Sequence, residues 1–462
     1  MAYVEYSGVS LFDLATMRPL GALPSAPISH TVPLTAAVRA GAGTIAFSTD
    51  GQIFLVPLAS LQPWPKYPAN LQGVGPGVQR MDFPVNAITA LPGSSKLLFA
   101  TPGSAGALGN SVVTFDPSSG QIESAVFAGS EPSLIAAAPD GSAVYTTLAG
   151  EGRVGRVNLS SSSRDLVFVP DPFGGSNQYD IFDMALGIDG GLALSYYGGG
   201  IAVFDNGVPR PAPDANDQGP FAYNGAAFEL AFDGRGTVLY AYDTRWSTFD
   251  FKRSAVSPQG VQWLSSADGL TSGNYTQIRY ARGLLYTSTG DVIDPEQSRR
   301  AGEFAFPFAA NTPGTMVVPD PDTGRIFFLL GSQLYMFDIN TRALLGSLRV
   351  PLGNYATPQS LVRFGDDGLA FHTRDVFSGQ VQVSLARISA IPLLPAPVPS
   401  PQPSLPVTPG VTVVDLAAQD IAYDPSRNLI YAAVPNREAA RGDRIAAIDP
   451  GSGAVSASWP AG

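Results

Sequence analysis

Short apolar runs separated by turn residues recur along the chain from about residue 84. In the first module the runs lie near residues 87–90, 97–100, 112–115 and 124–128, and Asp116-Pro117 opens a turn between the last two. The module repeats with a period of roughly 40 to 50 residues, as in repeat proteins whose unit is a small sheet. Runs this short, bounded by Gly, Pro, Asp and Ser, predict strands rather than helices.

Seven such modules fill the chain to about residue 390. The first run of each module is rich in small residues, while the second and third runs use Val, Leu, Phe and Tyr. Strands at the centre of a ring of sheets have little room, whereas later strands face neighbouring sheets. The predicted fold is therefore all-β: a seven-bladed β-propeller of four-stranded antiparallel blades.

Both ends of the chain repeat stretches of its middle. Phe12-Asp13 aligns with Phe337-Asp338, and Ala46-Phe47 aligns with Ala370-Phe371. At the other end, Asp449-Pro450 aligns with Asp116-Pro117. The simplest interpretation is one complete propeller flanked by partial blades of neighbouring propellers. In the alternative, the ends join the central ring or exchange between molecules.

This interpretation divides the chain into five parts. Residues 1–60 are predicted to be terminal blades of a preceding propeller, and 61–83 a Pro/Gly linker. Residues 84–391 form the complete propeller, 392–411 a Pro-rich linker, and 412–462 the first blade of a following propeller. Proline-rich segments favour extended, semi-rigid geometry, so the second linker is expected to be a spacer.

The composition narrows the classes of partner and site that the chain can have. The net charge of -11 argues against nucleic acid, since binding a phosphate backbone requires a clustered cationic surface. The chain contains no cysteine, so disulfides and thiolate metal sites are excluded. No apolar stretch is long enough to cross a membrane, and the first residues lack the pattern of a secretion signal.

At its blade motifs the chain resembles the bacterial YVTN or WD-like β-propeller repeat proteins. The residues that carry the resemblance are 129–136, 140–145 and the Phe-Asp or Ile-Asp-Pro turns. Members of this family are often exported and serve as surface or scaffold domains. The resemblance therefore implies a tandem propeller fragment outside the cytoplasm, and it specifies fold better than activity.

Recurrent aspartates and two histidines are the candidates for chemistry. Each aspartate of the following set lies near Gly, Pro, Ser or Asn and is expected to cap a turn rather than bind metal: Asp116, Asp140, Asp189, Asp205, Asp233, Asp320, Asp322, Asp338, Asp366, Asp367 and Asp449. His372 aligns with Ser48, so the fold does not require it, and it is expected to be a partly buried strand residue. Gly198-Gly199-Gly200 is expected to join two strands of a hairpin. No metal or cofactor is predicted.

Aromatic residues near predicted loops of the third to fifth blades are the candidate binding residues: Tyr196, Tyr197, Trp246, Trp263 and Tyr275. Grouped on one face they would bind a protein or a glycan, whereas packing between blades is their alternative role. The predicted function is a non-catalytic interaction or scaffold module of a bacterial surface or exported protein. The alternatives are a lyase-like or lactonase-like enzyme with its site at the axial channel, and a purely structural spacer.

Overall fold

The computed structural model describes the following residues: 2–5, 8–12, 19–22, 34–49, 51–60, 71–171, 180–197, 200–211, 228–244, 249–271, 273, 276–306, 315–394, 410–414, 416, 418–434 and 444–460. Nearly all of their regular structure is strand, and the strands are numbered β1 to β39 in chain order. The described helices are three short 3₁₀ segments: Leu58–Ser60, Gly103–Leu108 and Ile388–Ala390. The all-β prediction is confirmed.

Six four-stranded antiparallel sheets follow one another through the middle of the chain, each with its strands in sequence order. The first three sheets are β9(Ala87–Ala90), β10(Leu97–Thr101), β11(Ser111–Asp116), β12(Gln121–Phe127); β13(Pro132–Ala137), β14(Ala143–Leu148), β15(Arg153–Asn158), β16(Ser163–Phe168); and β17(Ile181–Leu186), β18(Leu192–Tyr196), β19(Ile201–Asp205), β20(Val208–Pro209). The next three are β21(Phe228–Phe232), β22(Val238–Asp243), β23(Phe251–Ser257), β24(Gly260–Ala267); β25(Ile278–Ala281), β26(Leu284–Thr287), β27(Asp291–Asp294), β28(Arg299–Glu303); and β29(Met316–Asp320), β30(Arg325–Leu330), β31(Gln333–Asp338), β32(Leu344–Arg349).

The seventh sheet combines distant parts of the sequence. Its first three strands are β33(Ala356–Phe364), β34(Gly368–Asp375) and β35(Val381–Arg387), and β35 then pairs with β8(Val78–Met81), which pairs with β7(Gln72–Gly75). The predicted linker of residues 61–83 contains these two strands, β7 and β8, and its residues 61–70 lie outside the described residues. Val78 and Met81 are buried against the seventh sheet, and this burial stabilises a strand in a glycine-rich segment.

Three further sheets lie toward the ends of the chain. They are β1(Ala2–Glu5), β2(Gly8–Phe12), β3(Pro19–Ala22); β4(Leu34–Ala40), β5(Thr44–Thr49), β6(Gln52–Pro57); and β36(Asp420–Asp424), β37(Leu429–Val434), β38(Arg444–Ile448), β39(Val455–Pro460). Two residues of the predicted linker 392–411 contact the sixth sheet. Leu393 forms a bridge with Gly346, and the Leu394 N–H donates to the Leu345 carbonyl at 2.8 Å.

The hydrophobic core lies between successive sheets. In β10, Leu97 and Phe99 pack toward the seventh sheet, whereas Leu98 packs toward the second. Successive side chains of a strand point to opposite faces, so each central strand contributes to two interfaces. The first strands of consecutive sheets contact one another in order from β9 to β33, and β33 contacts β9. The arrangement is β-propeller-like.

Most of the predicted turn aspartates cap backbone N–H groups. Asp116 accepts a hydrogen bond from the Ser118 N–H at 2.8 Å, and Asp449 accepts one from the Ser452 N–H at 2.7 Å. Asp140, Asp189, Asp233 and Asp338 act in the same way. Asp205 and Asp320 instead bind Arg210 and Arg363. The capping prediction is confirmed for the first group, and its physical basis is the short carboxylate side chain.

Candidate functional site

Three charged side chains come together on the first strands of the third, fourth and fifth sheets. Asp183 lies on β17, Glu229 on β21 and Arg279 on β25, and these strands contact one another in that order. Arg279 Nη1 lies 3.7 Å from Glu229 Oε2. The Asp183 carboxylate accepts a hydrogen bond from the Leu230 N–H at 2.8 Å, which ties the third sheet to the fourth.

Burial raises the pKa of Glu229 to about 8, the Asp183 charge adds to the shift, and Arg279 opposes it. Burial also raises the pKa of Asp183, against the effects of the Leu230 N–H and Arg279. The Glu229 side chain is 15% exposed, so its carboxyl is largely but not completely buried. Two carboxylates that resist simultaneous ionisation can hold a shared proton near neutral pH.

A protonated Glu229 can donate a hydrogen bond or a proton, while Arg279 can hold an anionic group beside it. Sequence reasoning overlooked these residues, because the three lie about 50 residues apart in repeats whose first strands are otherwise small or apolar. The available signal was a single carboxylate inside an apolar strand, as in Ile181-Phe182-Asp183-Met184 and Phe228-Glu229-Leu230.

Three of the five predicted aromatic residues lie within the described part of the chain, and they have different environments. Tyr196 is buried, and its hydroxyl donates to the Pro170 carbonyl at 3.1 Å, so its ring offers no face to a ligand. Tyr197 is exposed and meets the Phe182 ring edge-on at 5.0 Å. Trp263 lies on β24, and the Lys252 ammonium is 5.1 Å from the centre of its ring. Trp246 and Tyr275 lie outside the described residues.

Lys252 is itself buried between two aromatic rings, those of Phe228 and Trp263. Burial lowers its pKa to about 8, against the opposing charges of Asp250, Asp243 and Asp268. The ammonium therefore covers one face of the Trp263 indole, while Trp263 as a whole remains 37% exposed.

An aromatic pair that the sequence did not single out is exposed at one end of the seventh sheet. Tyr355 precedes β33, and Phe377 lies in the turn between β34 and β35. Their side chains are 58% and 77% exposed, and the rings meet nearly perpendicularly at 4.7 Å. Val376 beside them is exposed as well. Tyr197 and Phe182 occupy the equivalent end of the third sheet.

His372 joins the seventh sheet to Asn86, the residue before β9. It is buried on β34, its Nδ1 lies 2.6 Å from the Ser360 hydroxyl, and it shares a backbone hydrogen bond with Asn86. Burial and the nearby Arg374 charge lower its pKa to about 3, so the imidazole is neutral at physiological pH. Its environment agrees with the structural role expected from the sequence. The hairpin prediction for residues 198–200 is consistent with the antiparallel pairing of β18 and β19, although Gly198 and Gly199 are not described.

Among the described residues, no three His, Cys, Asp or Glu side chains are placed to hold one metal ion. No helix in the described ranges has the length and apolarity needed to cross a bilayer.

Comparison with known proteins finds similarity in structure but none in sequence. No protein-family model matches the chain, and no curated protein sequence matches it. Among solved structures, the chain is similar to a hydrazine synthase of Kuenenia stuttgartiensis, with a TM-score of 0.47 and 13% sequence identity. That match covers 68% of this chain and 96% of the other.

Proposed function

We propose that the chain is an interaction module built on a seven-bladed β-propeller of the YVTN-like kind, and that it binds a protein partner through loops on one face. The observation that carries this proposal is the exposed cluster of Tyr355, Val376 and Phe377, called the aromatic cluster below. Adjacent exposed apolar side chains on a rigid sheet end are typical of binding surfaces.

The ring itself is part of the proposal. It is supported by the contacts between the first strands of consecutive sheets, including that between β33 and β9. It is also supported by the pairing of β8, which precedes the first sheet, with β35 in the seventh. A propeller closed in this way leaves few exposed sheet edges within the ring.

In such a ring, the turn between second and third strands and the start of the first strand lie on the same face of every blade. The aromatic cluster and the Phe182–Tyr197 pair would then share one face, on the seventh and third blades. We favour a protein over a glycan because the Tyr355 and Phe377 rings are nearly perpendicular and form no flat platform for a sugar ring. A role at the bacterial surface or outside the cytoplasm follows from the family resemblance alone.

The proposal can be tested by site-specific photo-crosslinking in extract and culture medium of the organism that encodes the chain. A photoreactive phenylalanine replaces Phe377 in one protein and Ile188 in a control. Ile188 is an exposed apolar residue in the turn after β17, at the opposite sheet end. A partner captured at position 377 would be purified and titrated against the unlabelled variants.

We expect Phe377→Ser and Tyr355→Ser each to weaken binding about tenfold or more, as loss of an aromatic anchor does at other interfaces. Ile188→Ser should leave affinity unchanged. Equal capture at both positions, or affinity that is insensitive to both aromatic substitutions, would refute binding through this face.

A second candidate function is catalysis at the axis of the ring, of the lyase-like or lactonase-like kind. The specific observation in its favour is the proximity of Glu229, Asp183 and Arg279. A panel of lactones and anionic sugars, followed in a pH-stat, tests this function. Turnover that disappears in Glu229→Gln while binding of the anionic ligand persists would establish an enzyme. Turnover that is the same in the variant would place the chemistry elsewhere.

A further inference from the structure

The amino-terminal sheet β4-β5-β6 has an open edge and an exposed apolar surface. Strand β6 forms that edge, because it pairs with β5 alone among the described strands. Ile53 and Leu55 on β6 are 76% and 67% exposed, and Val38 on β4 is exposed as well. An open edge with apolar side chains is a site where another strand can add.

Strand pairing shows which residues of the seventh sheet correspond to this surface. Ser48 and Ala46 on β5 lie opposite Ile53 and Leu55, as His372 and Ala370 on β34 lie opposite Val383 and Leu385. The pattern extends past the strand, since the Leu58 N–H donates to Gly43 O as the Ile388 N–H donates to Asp367 O. Ile53 and Leu55 therefore stand at the positions of two residues that are buried in the seventh sheet.

In the seventh sheet these positions are covered by β8 and by the first sheet. Val383 pairs with Met81 and Leu385 pairs with Gln79, while Val383 and Leu385 pack against Met81, Phe83 and Ile88. Strands β4, β5 and β6 thus correspond to β33, β34 and β35, but no described strand pairs with β6 as β8 pairs with β35. A strand in the place of β8 is called the donor below.

A copy of the donor lies near the carboxyl end. Residues 409–416 read Pro-Gly-Val-Thr-Val-Val-Asp-Leu, and residues 76–83 read Pro-Gly-Val-Gln-Arg-Met-Asp-Phe, so Pro, Gly, Val and Asp recur at the same spacing. The offset is 333 residues, from 409 minus 76, and it also relates Ile421 to Ile88. Gly410–Val414 is called the donor segment below.

The donor segment is placed against its own sheet much as β8 is placed against the first sheet. The Gln419 N–H donates to Ala433 O at 2.9 Å, and the Asn86 N–H donates to Ala100 O at 2.8 Å, again 333 residues apart. A Cβ on Gly453 would lie 2.9 Å from Thr412 Cγ2, so the donor segment touches the β38–β39 turn. In the equivalent place, Gln79 and Pro117 line one pocket. Val411 and Val413 remain exposed, and the donor segment pairs with no described strand.

We propose that the donor segment of one copy of this chain adds to β6 in a second copy and completes a sheet equivalent to the seventh. Transferring the β8–β35 register places Ile53 opposite Val414, Phe54 opposite Val413, Leu55 opposite Thr412 and Val56 opposite Val411. The exposed Ile421 and Tyr423 on β36 then cover Ile53 and Leu55, as Ile88 and Ala90 face Val383 and Leu385.

The interface joins the carboxyl end of one copy to the amino end of another. It is therefore heterologous, and copies associate head to tail into strings or a closed ring. Burial of the exposed Ile53 and Leu55 against Ile421 and Tyr423 favours association. Pro57 has no N–H, so it limits the new ladder to the four pairs named above.

The hydrogen-bond pattern supplies a matched pair of variants. The Arg387 N–H donates to Gly77 O at 2.9 Å, and bonded pairs alternate along an antiparallel ladder. Gln79 and Met81, and hence Thr412 and Val414, therefore direct their N–H groups at the receiving strand, whereas that of Val413 points away. We expect Thr412→Pro to weaken self-association at least tenfold in sedimentation or light scattering over a concentration series, and Val413→Pro to change it far less.

Cysteine cross-linking identifies the donor, because the natural chain contains no cysteine. Val56 and Val411 form a non-bonded pair, in which Cα atoms about 4.5 Å apart suit a disulfide. Val56→Cys protein mixed with Val411→Cys protein should give a covalent dimer under mild oxidation. Val56→Cys mixed with Val413→Cys, two residues out of register, should give far less.

Several results would overturn the proposal. They are a chain that stays monomeric at high concentration, equal loss of association in the two proline variants, or no preference between the cysteine partners. A protein carrying both Val56→Cys and Val411→Cys that forms only an intrachain disulfide would also refute it, because the donor would then be the chain's own.

Discussion

Replacing Glu229 by Gln should change how stability depends on pH. Glutamine keeps the shape of the protonated side chain but cannot ionise. The pKa of Glu229 is raised from 4.5 to about 8 in the folded protein, so the folded state binds the proton more tightly than the unfolded state. Stability from this group is complete below pH 4.5 and is lost as pH rises toward 8.

The size of the effect follows from these two values. Each pH unit in this window costs about 1.4 kcal/mol, which gives on the order of 4 kcal/mol between pH 4.5 and 7.5. Asp183 titrates together with Glu229, so part of this loss of stability belongs to Asp183. We take half of the total, about 2 kcal/mol, as the lower limit for Glu229 alone. The ion pair with Arg279 opposes the rise in the pKa of Glu229, and its effect is already included in the value of about 8.

The assay is urea unfolding at pH 5, 6, 7 and 8, followed by hydrogen exchange at the Leu230 amide, which is bonded to Asp183. We expect Glu229→Gln to match the natural protein at pH 5 and to exceed its stability by about 2 to 4 kcal/mol at pH 8. Glu123→Gln is the control, since Glu123 pairs with Lys96 on the surface. A stability difference that does not change between pH 5 and 8 would show that Glu229 is not held protonated.

Two further predictions concern the seventh sheet. His372→Ser, which introduces the residue found at position 48, should make the free energy of unfolding less sensitive to acid. The pKa of His372 is lowered from 6.5 to about 3 in the folded protein. Its contribution to stability is therefore complete above pH 6.5 and falls by about 2 kcal/mol by pH 5. Unfolding at both pH values checks this, and an unchanged acid slope in the variant would contradict it. Met81→Ala should destabilise the protein by about 2 to 5 kcal/mol, because the Met81 side chain on β8 is buried in the core between the seventh and first sheets. Exposed Val208→Ala serves as its control in thermal unfolding, and equal, small effects of the two would argue against β8 as a structural strand.

The strands could be predicted from the sequence because alternation, short runs and turn residues act locally. The Asp116-Pro117 turn and its copy at Asp449 needed only neighbouring N–H groups, and the structure forms both as expected. The recurrence of Ala46-Phe47 at Ala370-Phe371 likewise indicated a repeated sheet, and the two stretches have matching strand pairing. These features depend on residues that are close to one another in the sequence.

The tertiary structure decided which distant residues meet. The pairing of β8 with β35 spans about 300 residues, so a glycine-rich segment that resembles a linker becomes a strand only when Val78 and Met81 find an apolar partner. Tyr196 and Tyr197 are adjacent in sequence, yet Tyr196 ends β18 and is buried, whereas Tyr197 lies in the turn after it and is exposed. The first strands β17, β21 and β25 lie side by side, and only this places Asp183, Glu229 and Arg279 near one another. Local patterning determines what each segment forms, whereas burial and charge at a site depend on which segments the fold brings into contact.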